Sequence, residues 1–257
     1  MTKIKELISK ERSQYLVFIG LSIGVVVLTG ILYFSDNPFQ RFIGGINPLI
    51  ASFFIILLGV ISLSFLLSKG WFAIYKKENL KGLVRRSILA APFALITILV
   101  VDLNVPFPAD LNVLFPESLL FYPAIGFFVE ILFHVLPLSI LLIFLTSIFK
   151  NANHKNIIWI CIIIVSLLEP VYQTMPLFSS SHYPLWAATV VLLNLFLFNL
   201  SQLYIFKQYD FISMYSFRLV YYLIWHIVWG NIRILYFSAM HSDNFTVMQL
   251  LHACIFI

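Results

Sequence analysis

The feature that most constrains this chain is a succession of long apolar runs. Residues 16–34, LVFIGLSIGVVVLTGILYF, pass without a single charged side chain. An uninterrupted run of about 18 or more apolar residues is long enough to cross the hydrocarbon core of a bilayer as a helix. Comparable runs recur along the sequence. The apolar pattern predicts seven spans at 15–34, 47–68, 87–101, 118–149, 157–175, 183–206 and 217–238. Each should be helical, because backbone groups in lipid must satisfy their hydrogen bonds within the segment. Nothing alternates with the two-residue period of a barrel strand. The expected fold is all-α: a polytopic transmembrane helical bundle forming a single membrane domain over 1–257. It has seven spans, or eight if the apolar end FTVMQLLHACIFI starts another.

Composition agrees with the runs. Hydrophobic residues make up 61% of the chain and charged residues 11%, far from the balance of a soluble domain. The net charge of +5 is not a nucleic-acid signature, because the basic residues gather in alternate loops. Fourteen of the sixteen Lys and Arg residues fall on one side, in the N-terminal stretch, around 69–86, at 150–155, and at Lys207 and Arg218. The opposite side has Arg41 and the acidic loop DLNVPFPADLNVLFPES. By the positive-inside rule the N-terminus faces the cytoplasm. The first span is too long for a typical signal-peptide core and no A-x-A site follows it, so it reads as a retained helix. The basic segment 71–86, WFAIYKKENLKGLVRR, reads equally as a helix lying along the inner leaflet or as a solvated loop. Two cysteines, Cys161 and Cys254, make no disulfide framework. The last four residues match the C-a-a-X pattern only formally, and the spans already anchor the chain.

The candidate chemistry lies in polar residues within these runs. In FFVEILFHVLP, Glu130 and His134 are four residues apart and so share a helix face. An ionisable group at such depth is expensive and marks function by default. His226 lies as far from the end of span seven as Glu130 lies from the start of span four, about 18 Å along the axis. Both ends face the same side, so the two are expected to share a depth and meet. Glu169 precedes Pro170, which predicts a kink or helix end there. Its role is open between a site member and a residue at the membrane edge. His182 falls in or near a loop. A buried carboxylate can pass a proton and a histidine can stabilise an oxyanion. One carboxylate with one or two histidines can instead hold zinc. There is no HExxH and no GxSxG.

These residues resemble the CPBP family, the CAAX-protease and bacteriocin-processing group of intramembrane proteases, over about 118–235. The family pattern is Glu-Glu-x-x-x-Arg, then Phe-x-x-x-His, then His-x-x-x-Asn, each on a transmembrane helix. Residues 129–134, VEILFH, align with the first motif, keeping the second glutamate as Glu130 but with Val129 and His134 at the other two positions. For the second motif, Phe178 to His182 fits the letters, whereas Glu169 to Gln173 fits the position. For the third, His226 matches, Gly230 stands four residues on, and the asparagine is displaced to Asn231. One residue is about 100° of rotation, so that displacement is conservative only if the helix bulges.

The resemblance implies peptide-bond hydrolysis by water activated at Glu130. His226 with His182 or Gln173 would bind the oxyanion, Asn231 and His134 would orient the site, and Glu169 would be a second carboxylate. The implied partner is a peptide or protein substrate in or near the bilayer of the bacterial cytoplasmic membrane. No cofactor is expected, with a divalent metal as the alternative. A catalytically inactive CPBP-like scaffold or partner-binding protein is the second reading. A proton-coupled transporter with Glu130, Glu169 and His226 as a relay is the third.

Overall fold

The computed structural model describes residues 6–240 except 8, 36 and 182. The question of an eighth helix in the apolar tail, and the C-a-a-X-like end, therefore lie outside the described residues. Among the described residues, seven helices are long and apolar enough to cross a membrane: α1 (Arg12–Phe34), α2 (Pro48–Ser68), α3 (Lys77–Asp102), α4 (Ser118–Ile148), α5 (His154–Ser179), α6 (Leu185–Gln208) and α7 (Phe211–Ile234). No strand occurs among the described residues. The bundle is all-α, as the apolar runs require.

Sequence decides which face of each helix turns inward. On α1 the buried residues Phe18, Ser22, Val25, Thr29 and Leu32 recur at three- and four-residue steps, one stripe of a helix. Ile19, Ile23, Val27 and Ile31 cover the opposite, exposed face. Exposed apolar side chains of this kind suit a lipid environment. Helices α4 and α7 are the hub. Against α4 pack α1, α2, α5 and α7; against α7 pack α3, α4 and α6.

The basic segment 71–86 divides between two conformations. Its first half is extended and docks on the start of α7, where Phe211 N donates to Ala73 O and Ile212 N to Ile74 O. Asp210 caps α7 by accepting from Ser213 N, and also accepts from Lys76 N and Asn79 Nδ2. The unpaired N–H groups of a helix start thus find partners in the segment itself. From Lys77 onward the segment is the first turns of α3, ten residues before the predicted start. Helix α7 likewise starts six residues early. Arg218, counted among the loop cations in the sequence, is therefore inside α7 and 1% exposed.

Among the described residues, three helices contain a wide turn of π type, in which hydrogen bonds reach back five residues. They are Thr97–Asp102 in α3, Glu130–Val135 in α4 and Leu223–Trp229 in α7. Helix α5 breaks at Leu167 into His154–Ser166 and Leu168–Ser179. The break comes just before the predicted place, and Pro170 falls in the first turn of the second piece, where a missing N–H costs nothing.

Candidate functional site

Glu130, His134, Glu169 and Gln173 come together around Arg218. Glu130 and His134 sit on the wide turn of α4 and are 0% exposed; Glu169, at the start of the second piece of α5, is 2% exposed. Gly126, one turn before Glu130, makes room for α7. A Cβ there would lie 3.2 Å from the Tyr222 ring and 3.6 Å from Arg218 Cδ. The glycine lets the Arg218 stem pass close to α4.

Arg218 Nε donates to Glu130 Oε1 at 2.6 Å. Its Nη1 donates to Glu169 Oε1 at 2.9 Å and to Tyr222 Oη at 3.1 Å. Its Nη2 donates to Glu169 Oε2 at 2.7 Å and to Gln202 Oε1 at 2.9 Å. All five guanidinium N–H groups are thus used, the full donor capacity of an arginine. Gln202 Nε2 donates in turn to Glu130 Oε1, and Gln173 Nε2 to Glu169 Oε1 at 2.8 Å. His134 Nδ1 lies 2.9 Å from Glu130 Oε2 and its Nε2 lies 3.7 Å from Glu169 Oε2. Neither imidazole nitrogen makes a hydrogen bond of good geometry.

His226 does not join this cluster. It stands two turns farther along α7, where its Nδ1 lies 2.8 Å from Asn112 Oδ1 and its ring stacks on Tyr122 at 4.6 Å. The expectation that it meets Glu130 is corrected: Arg218, not His226, is the α7 side chain at the depth of Glu130. The reason is local: Gly126 lets α7 approach α4 beside Arg218, and the long Arg218 side chain reaches Glu130. Asn231 is also elsewhere, accepting from Phe115 N at 3.1 Å and donating to Ile227 O at 2.7 Å. The helix does bulge between His226 and Asn231, and both side chains meet the connection between α3 and α4. His182 lies outside the described residues.

That connection is fastened by a second cluster. Asp102, at the end of α3, accepts from Arg233 Nε at 2.9 Å and Nη2 at 2.8 Å, from Trp229 Nε1 at 2.6 Å and from Phe107 N at 2.9 Å. Arg233 also donates to Phe107 O and Pro108 O. Nearby, Tyr183 stacks on Phe107, and its burial, with the Asp102 charge adding to it, pushes its phenol up to about 12.

Two site members escaped sequence reading. Arg218 read as a loop cation, and no motif sets Gln202 apart from the other polar residues of α6. The available signal was a pattern of polar pairs four residues apart: Glu130/His134, Glu169/Gln173 and Arg218/Tyr222, on three helices. Among the described residues, no three His, Cys, Asp or Glu side chains are arranged to hold a metal ion. Between the two carboxylates, where a cation would sit, stands the Arg218 guanidinium. No protein-family model, curated protein or solved structure matches the chain.

Proposed function

We propose that this multi-pass membrane protein is a non-hydrolytic scaffold of CPBP-like build in the bacterial cytoplasmic membrane. Its polar core fastens helices instead of cutting peptide bonds, and it works by associating with a membrane partner. The observation that supports this reading is the enclosure of the cluster. A general base must be reached by the water it activates, yet Glu130 is 0% exposed, its Oε1 accepts from Arg218 and Gln202, and its Oε2 faces His134 Nδ1 at 2.9 Å. An oxyanion needs donors aimed at it, yet every Arg218 donor is spent on a neighbour. His226, the expected oxyanion partner, is held by Asn112 and Tyr122.

The hydrolytic reading keeps one specific support. Glu130, His134, Glu169 and Gln173, on two different helices, do adjoin one another. The test is cleavage of a panel of membrane-spanning peptides by the purified chain in lipid bilayers, beside its Glu130→Gln variant. No cleavage by either is expected. Cleavage by the unmodified chain that disappears in Glu130→Gln would overturn the scaffold reading.

A further inference from the structure

Two carboxylates and one guanidinium do not balance. Glu130, Glu169 and Arg218 together carry one negative charge in excess, in a site that is almost fully enclosed. An uncompensated charge at such a depth costs several kcal/mol. His134 lies between the two carboxylates, one ring nitrogen toward each. We propose that the site binds a proton on His134, completing a closed ring of alternating charge in the order Glu130, Arg218, Glu169, His134.

Geometry supports the imidazolium over the neutral ring. His134 Nδ1 lies 2.9 Å from Glu130 Oε2 and its Nε2 3.7 Å from Glu169 Oε2; a neutral ring carries one N–H and can serve only one of these carboxylates, whereas the charged ring carries two. A charged ring is attracted to both carboxylates without needing to be in line. The neighbours supply no competing cation. On α7 the ionisable groups around the cluster are Arg218, Tyr215, Tyr221 and Tyr222. Helix α5 brings Glu169 and the Gln173 amide, and α6 brings the Gln202 amide. Helix α2, packed on the wide turn of α4, contains no ionisable side chain. The proton is therefore a ligand that ties α4 to α5, and its departure leaves two carboxylates competing for one arginine. This holds whether or not the protein cleaves peptides.

Phe133–His134 is the only Phe–His pair in the sequence. Labelling the Phe carbonyl with 13C and His with 13C and 15N therefore singles out His134 in solid-state NMR of the full chain in bilayers. Near neutral pH the ring should show both nitrogens protonated. In Glu169→Gln, where Glu130 and Arg218 balance alone, the same ring should become neutral. A neutral ring in the unmodified chain would overturn the proposal, and that spectrum decides the matter if the variant does not fold. An imidazolium unchanged in folded Glu169→Gln would overturn it as well.

Discussion

The Arg218 cluster and the Arg233 cluster use the same chemistry to different ends. Arg233 meets one carboxylate, Asp102, and spends its other donors on backbone carbonyls of the connection after α3. Its charge is balanced, and the result is a staple between the end of α7 and a loop. Arg218 meets two carboxylates, which His134 approaches from their other side, across α4, α5 and α7, with Gln202 of α6 closing the set. Its charge is not balanced without a proton. A balanced pair can be replaced by apolar residues at little cost, because desolvation offsets much of the attraction. An unbalanced cluster offers no such simple exchange. The contrast separates a fastening from a candidate site without reference to sequence motifs.

Three substitutions would break or sharpen this contrast. The largest effect is expected for Arg218→Met, which strands two carboxylates. It should lower stability by about 3–5 kcal/mol, read as the denaturation midpoint in mixed micelles. Restoring stability should take one further change, Glu130→Gln or Glu169→Gln, because the carboxylate that stays then balances the His134 imidazolium; no recovery with either change alone would remove the claim that His134 is charged. Arg233→Met should cost somewhat less, about 3 kcal/mol, and here one further change, Asp102→Leu, should recover most of the loss. A double variant no better than the single would mean that the outer cluster is more than a staple. The smallest effect is expected for Gly230→Ala. A Cβ at Gly230 would lie 2.8 Å from Asn112 Nδ2 and 3.0 Å from its Cγ. Displacing Asn112 should cost about 1–2 kcal/mol, and the loss should vanish in an Asn112→Ala background, the signature of direct coupling.

The spans were legible because composition alone excludes any other environment for runs such as 16–34. Their limits were less so where charge meets the membrane edge. Lys77, Lys81, Arg85 and Arg86 look like a loop, yet they occupy the opening turns of α3. Glu130 was legible for the opposite reason, since an acid amid phenylalanine and leucine has few cheap explanations. Its partner was hidden because Arg218 sits at the predicted start of span seven, where a cation reads as a flank, although it lies seven residues into the helix. A long arginine side chain then carries its charge deep, away from its backbone position. Asn231 was legible as a displaced asparagine, but the bulge its position needs is geometry that no residue pattern announces: the wide turn before it brings the fifth residue after His226, instead of the fourth, toward the loop.

Those wide turns have a genetic consequence. A π turn is an α-helix holding one residue too many. Deleting a single residue within a transmembrane helix ordinarily rotates everything beyond it by about 100° and scrambles the buried face. Within Leu223–Trp229 the same deletion can instead be absorbed by relaxation to a regular helix, with Arg218 on one side and Arg233 on the other keeping their registers. Deletion scanning along α7 should therefore find a tolerant window at these seven residues, flanked by positions where one codon lost is ruinous.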